Sequence, residues 1–206
     1  MCKDKIKHDR HHAQEKGEGV GGNRTVLQLA HGLSGVENHL AHGIDRAVVS
    51  SLPAVFYRDC HRGNEELWQE TKAHPARFTA VATVNPRYVG WERDLGQAVD
   101  QWKMTAVTLV PEHHGYKLTD PVAAPVLAWL EGRGVPLVLT QRFEDRRQRH
   151  EWDKAEDLSF AALIEVAKAH PRLKFLLSNW AGLDGPRMVA AGLKGRCLVD
   201  FARMQV

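Results

Sequence analysis

Cysteine is scarce in this sequence: Cys2, Cys60 and Cys197 are the only three among 206 residues, and no two form a CxxC pair. An odd, scattered set argues against both a disulfide framework and a thiolate zinc site, and it fits a reducing, cytoplasmic setting. No apolar run approaches the roughly 18 residues a membrane span needs. The N-terminus lacks the apolar core of a signal peptide. A soluble, non-exported protein without a membrane partner is expected. Neither sign of charge dominates. The 28 basic and 25 acidic residues are interspersed and leave a net charge of +3, so no concentrated basic face is offered to a nucleic-acid backbone.

What is present is the composition of an ordinary globular domain, 43% hydrophobic and 26% charged, with enough chain for one sizeable core. Residues 1–24 hold few apolar side chains and follow no helical or strand period. They read as a flexible tail, drawn to residue 32, with the folded domain at 33–206. From about residue 44, short β-branched runs alternate with segments of helical spacing. Candidate strands lie at 46–51, 78–84, 105–110, 135–140, 173–178 and 196–201, with a weaker one from Thr25 to Leu29.

Helices fill the intervals. Trp91, Leu95, Ala98, Val99 and Trp102 form one apolar stripe, which needs a sheet to cover. Another helix is expected to begin with Asp120 as cap and Pro121 in the first turn, and to stop at Gly132 and Gly134. Asn64 and Asp157 are the candidate caps of two more. Ala-His-Pro occurs at 73–75 and again at 169–171. There His74 and His170 read as helix-end residues, because the following Pro forbids continuation. The βα unit has been written about six times, which fits a mainly parallel sheet. Two arrangements suit it: an open doubly wound sheet, or a (β/α)8 TIM-barrel-like fold of which this chain carries about six or seven units. Length alone favours the first, since eight units usually need about 250 residues. In both, chemistry is sited on loops after the strands' carboxyl ends.

Those loops supply the candidate residues. Glu112, His113 and His114 follow the strand at 105–110, bringing a carboxylate and two imidazoles suited to proton transfer. After 135–140 comes QRFEDRRQRH, where Arg142 is a candidate anion clamp and Glu144 a candidate acid or base. Asn179 and Trp180 follow 173–178. Asp200 closes an apolar run that demands a hydrogen-bond donor for it. Trp152 is a further pocket candidate. Gly17, Gly19 and Gly22 spell GxGxxG, but without a preceding strand they read as linker. His8, His11 and His12 lie in the same unpatterned tail.

The run from AHGIDRAVVSSLPAVFYRD through NEELWQETKAHPARFTAVATVNP, MTAVTLVPEHHGYKLTDP, GVPLVLTQRFEDRRQRH and AHPRLKFLLSNWAG resembles the amidohydrolase-related family (amidohydrolase 2) over about residues 35–206. The resemblance implies a metal-dependent (β/α)8 barrel, here incomplete, and hydrolase or decarboxylase activity. It also implies a divalent metal such as zinc, but the usual ligands have no counterpart. The histidine ending the fifth strand falls on Thr140, and that ending the sixth on Asn179. The usual HxH is absent from any strand. No metal ligand is therefore assigned.

The resulting expectation is a hydrolase or decarboxylase of a small polar or carboxylated substrate. Glu112, His113, His114, Glu144 and Asp200 are its catalytic candidates, and Arg142, Asn179 and Trp180 its substrate-binding candidates. The alternative is a non-catalytic, degenerate or truncated barrel that works by binding, or by homo-oligomerisation through unclosed edge strands.

Overall fold

The computed structural model describes residues 25–30, 45–143 and 155–200. Among them seven strands form one parallel sheet whose spatial order is the chain order: β1 (Thr25–Ala30), β2 (Arg46–Ser51), β3 (Phe78–Thr83), β4 (Ala106–Thr108), β5 (Leu137–Thr140), β6 (Phe175–Ser178) and β7 (Cys197–Val199). This is an open, partial (β/α) barrel. Every strand anticipated in the sequence is present; β2 keeps its expected bounds and β3 to β7 are shortened by one to three residues. The weak strand is β1, in parallel register with β2 from Thr25↔Arg46 to Ala30↔Ser51. It lies on the tail side of the division drawn at residue 32. Residues 1–24, with both the glycine pattern and the histidines, lie outside the described residues.

Alternation along each strand sends neighbours to opposite faces. One face carries Ala47, Val49, Ala82, Val107, Leu137, Leu139, Phe175 and Leu177 into the main core beneath the helices. The other carries Val81, Ala106 and Val138, packed with Val48 and Leu176. Register sets Val81 beside Ala106 and Val138 beside Leu176. At the β7 edge Leu198, in register with Leu176, is 71% exposed.

The first two helices form a tight pair. α1 (Leu52–Phe56) continues directly from β2, with the Ser51 side chain accepting from the Ala54 amide at 3.2 Å and Pro53 in its first turn. α2 (Cys60–Thr71) is capped by Asp59, which accepts from the His61 amide at 3.0 Å. Asn64, expected as that cap, sits buried inside the helix. Its Oδ1 accepts from the Thr83 amide and its Nδ2 donates to the Thr83 carbonyl, both at 2.8 Å. A side chain with both a donor and an acceptor has thus taken over the terminal backbone groups of β3, which outweighs its local preference for a helix start.

The remaining helices are α3 (Trp91–Gly96), which widens into a π-type turn over Gln97–Gln101, α4 (Ala124–Arg133), α5 (Phe160–Ala169) and α6 (Gly185–Ala190). The stripe expected on α3 packs inward, with Leu95 and Ala98 buried and Trp91, Val99 and Trp102 partly so. Gly134, at φ 67°, ends α4 as anticipated. The helix starts later than expected, because Asp120 instead accepts from the Lys117 amide at 2.8 Å and closes the preceding turn. α5 begins after Ser159 rather than Asp157. His170 is indeed its end residue, with Nδ1 3.1 Å from Glu131 Oε2. The Arg196 guanidinium donates to the carbonyls of Ala167, His170, Leu173 and Ala191, satisfying the ends of α5 and α6 that lack intrahelical partners.

Candidate functional site

The carboxyl ends of β4, β5, β6 and β7 gather most of the residues singled out in the sequence. Pairing of Thr140 with Ser178 fixes one row on the face of the smaller side chains. The β6–β7 register, Leu177↔Val199, brings Asp200 alongside Ser178. Ser178 Oγ donates to Asp200 Oδ2 at 2.6 Å, and the Asp200 amide donates to the Leu177 carbonyl at 2.9 Å. The donor that Asp200 required is thus the hydroxyl of the adjacent strand. Polar residues ending otherwise apolar strands, as in LVLT and FLLS, were the sequence signal for this row.

Two steps past Thr140, Arg142 Nη2 lies 3.1 Å from Asp157 Oδ2, and both side chains are largely buried. Asp157 therefore holds the guanidinium instead of capping α5. Arg142 Nε is buried and without a hydrogen-bond partner among the described residues. The Arg142 carbonyl accepts from Asn179 Nδ2 at 2.5 Å, which ties the β5 loop to the β6 loop. Asn179 adopts φ 58°, a left-handed conformation that Asn tolerates better than most residues. Trp180, just beyond this turn, is 1% exposed, lies in the main core and donates from Nε1 to the Leu139 carbonyl at 3.0 Å. It fastens the β6 loop to β5 from within.

The β4 loop divides its two histidines, as expected for adjacent side chains. His113 turns toward aromatic rings, with Phe143 edge-on at 5.0 Å and Phe56 at 6.1 Å, the latter 68% exposed at the end of α1. His114 turns inward. Its Nε2 lies 3.1 Å from the Val55 carbonyl and 3.8 Å from Cys60 Sγ. A carbonyl only accepts, so Nε2 carries the proton, and the Cys60 thiol donates instead to the Ala54 carbonyl at 3.4 Å. Burial drives both groups toward neutrality: the His114 pKa is pushed down to about 4, and the Cys60 thiol up to about 12, with Asp59 adding to the latter. This is a contact of two neutral groups, lacking the geometry of a nucleophile and its base.

Glu112 has its pKa raised by burial and, next, by the nearby Glu156 carboxylate. Glu156 precedes Asp157, and the Leu158 amide donates to the Gln141 carbonyl at 2.9 Å. The β4 loop, Arg142 and the 155–158 segment therefore converge. Glu144, Trp152 and the charge run from 145 to 150 lie outside the described residues. Phe56, Phe143, Asp157 and Ser178 were not singled out in the sequence as site residues: Ser178 carried a local signal, as the polar end of an apolar strand, whereas nothing local marks the other three, whose contacts come from neighbouring loops.

Among the described residues, no three of His, Cys, Asp or Glu stand close enough to hold a metal ion. Thr140 and Asn179 occupy the strand ends where the resembling family places histidines, and the β1 segment TVLQLA contains no histidine. The described residues do not fit that family's metal centre. No helix among them is long and apolar enough to cross a membrane.

No protein-family model and no curated protein matches the sequence. Solved structures do match the fold. The 5-carboxyvanillate decarboxylase LigW from Sphingomonas paucimobilis superposes with a TM-score of 0.55 at 19% identity, over 69% of this chain and 50% of that one. The 2,6-dihydroxybenzoate decarboxylase from Rhizobium gives 0.55 at 17% identity, over 76% of this chain and 66% of that one. The 4-oxalomesaconate hydratase LigJ from Rhodopseudomonas palustris gives 0.53 at 19%, over 70% and 47%. The chain spans about half to two thirds of the length of these structures, and at such identities they establish its fold.

Proposed function

We propose that the chain forms part of an enzyme that removes carbon dioxide from a small carboxylated aromatic substrate at the carboxyl end of the sheet. The observation that carries this reading is the His113 ring edge-on to Phe143 at 5.0 Å, in the same loop where the preceding residue, Arg142, has its guanidinium held by Asp157. A loop that offers aromatic edges and a held guanidinium suits a flat ring bearing a carboxylate. The names of the solved structures of like fold, decarboxylases of carboxyvanillate and dihydroxybenzoate among them, support the same class.

In this reading Arg142 orients the carboxylate and Asn179 holds the Arg142 backbone. The bond between ring carbon and carboxylate breaks, its electron pair stays on the ring carbon, and carbon dioxide leaves. The ring carbon takes one proton. Glu112 is the donor, since burial and Glu156 favour its protonated form. His113 is its partner in proton return. Glu144 is a second candidate acid, and Asp200 acts through Ser178. Nothing in the scheme depends on His114, which stays neutral against Val55, or on Trp180 in the core.

The test is carbon dioxide release from 2,6-dihydroxybenzoate and 5-carboxyvanillate by the full chain, with calorimetric binding of both. Turnover is expected in the wild type, falling at least tenfold in Glu112→Gln with binding retained. Arg142→Met should weaken binding of both acids. No binding of either acid would favour the non-catalytic alternative and end the proposal.

A further inference from the structure

We infer that Phe56 is a specificity-determining residue, an apolar ring held at the rim so that flat aromatic acids bind in preference to saturated ring acids of the same size. The inference rests on the reading of Arg142 as the residue that orients the carboxylate. Its own basis is a side chain whose exposure contrasts with the fixity of its backbone. Phe56 is the one aromatic residue among the large exposed hydrophobics of the described residues. The backbone beneath it is held by three hydrogen bonds. The Ala54 carbonyl accepts from the Cys60 thiol at 3.4 Å, the Val55 carbonyl from His114 Nε2 at 3.1 Å, and the Pro53 carbonyl from the Tyr57 amide at 3.0 Å. Ala54 and Val55 are themselves buried. A ring on a base this fixed is pre-organised, and little ordering remains to be lost when a second ring covers it.

The ring also ends a line of ring contacts. Phe56 meets His113 with centroids 6.1 Å apart and planes at 80°, and His113 meets Phe143 at 5.0 Å and 87°. Phe143 follows Arg142 in the chain. The line thus runs from α1 across the β4 loop to the loop that carries the guanidinium. Edge-on pairs set the positive rim of one ring against the negative face of the other. A benzoate ring has such a rim and face, and a cyclohexane ring has neither. Both would bury apolar area on Phe56, so area does not distinguish them and the charge distribution of the ring does.

The experiment is calorimetric titration of the full chain with benzoate and cyclohexanecarboxylate. The wild type is expected to bind benzoate about tenfold more tightly, as for an aromatic pair at the strong end of its range. Phe56→Leu keeps an apolar side chain and removes the ring, and there the preference should fall to about threefold or less. Phe56→Tyr keeps the ring and should keep the preference of about tenfold, a rescue that a merely structural role would not produce. Equal binding of the two acids by the wild type would overturn the inference while leaving the Arg142 reading intact. An undiminished preference in Phe56→Leu, or its loss in Phe56→Tyr, would overturn it in the same way. Binding of neither acid would overturn both.

Discussion

The α1–α2 pair presents Phe56 and Cys60 to the β4 loop, and its closeness depends on one missing methyl group. A Cβ built on Gly63 would stand 2.7 Å from Ala54 Cβ, 2.9 Å from Ser51 Oγ and 3.0 Å from Ala54 Cα. Carbon atoms prefer about 3.5–4.0 Å, so roughly an ångström of overlap must be relieved. No rotamer change can relieve it, because a methyl group and backbone are on the other side. The helices must part, disturbing the Ser51 cap on Ala54. Overpacking of this kind costs about 1–3 kcal/mol and loss of a cap about 1 kcal/mol, against about 1 kcal/mol gained from replacing Gly by Ala in a helix. Gly63→Ala should therefore destabilise by about 1–3 kcal/mol in urea unfolding followed by far-UV circular dichroism. Gly132, inside α4 with nothing within 4 Å of its would-be Cβ, supplies the control, and Gly132→Ala should stabilise by about 0.5–1 kcal/mol. Adding Ala54→Gly to Gly63→Ala should recover part of the loss. A Gly63→Ala protein as stable as wild type would refute the close-packing argument.

Acid should expose the buried imidazole. His114 titrates near 6.5 when unfolded but about 4 in the fold, so below pH 6.5 the unfolded chain takes up a proton that the folded one refuses. Stability should fall between pH 6.5 and 4 by up to about 3 kcal/mol, at roughly 1.4 kcal/mol per pH unit. His114→Leu should flatten that decline, and an unchanged pH profile would contradict the assignment. Asn64→Ala strands the buried Thr83 amide and carbonyl together, which should cost about 2–4 kcal/mol in denaturant unfolding. Amide exchange at Thr83 should also accelerate, and a loss below about 1 kcal/mol would mean that the clamp on β3 contributes little.

The strands were legible because parallel strands covered on both faces must be continuously apolar, and that pattern survives without knowledge of partners. The helix ending at Gly134 was equally plain, since a left-handed C-cap is a local requirement. Helix starts were not. Asn64, Asp120 and Asp157 are all chemically able to cap, yet each met a competing partner: the β3 backbone, the Lys117 amide and the Arg142 guanidinium. The site was legible to the same degree. Strand ends named Arg142, Asn179 and Asp200 because topology alone brings them to one rim. Phe56 and Phe143 acquire significance only through contacts across loops, and Trp180, polar at one edge and apolar in bulk, fits a pocket or a core equally well until its turn is known.

The strand order has a consequence for how the molecule is made. Because β1 to β7 lie in space as they lie in sequence, no strand has to insert between two already paired. Each new pairing closes only the segment between neighbouring strands, and because closure entropy grows slowly with length its cost stays nearly constant along the chain. Folding can then advance as growth at an edge, and contacts remain local for a parallel sheet, which favours speed. On a ribosome, which releases the chain from its N-terminus, each strand meets an edge that is already in place. The Arg142–Asp157 pair can be positioned before Ser178 and Asp200 emerge, so the β5 side of the rim is assembled first and the β6–β7 side last.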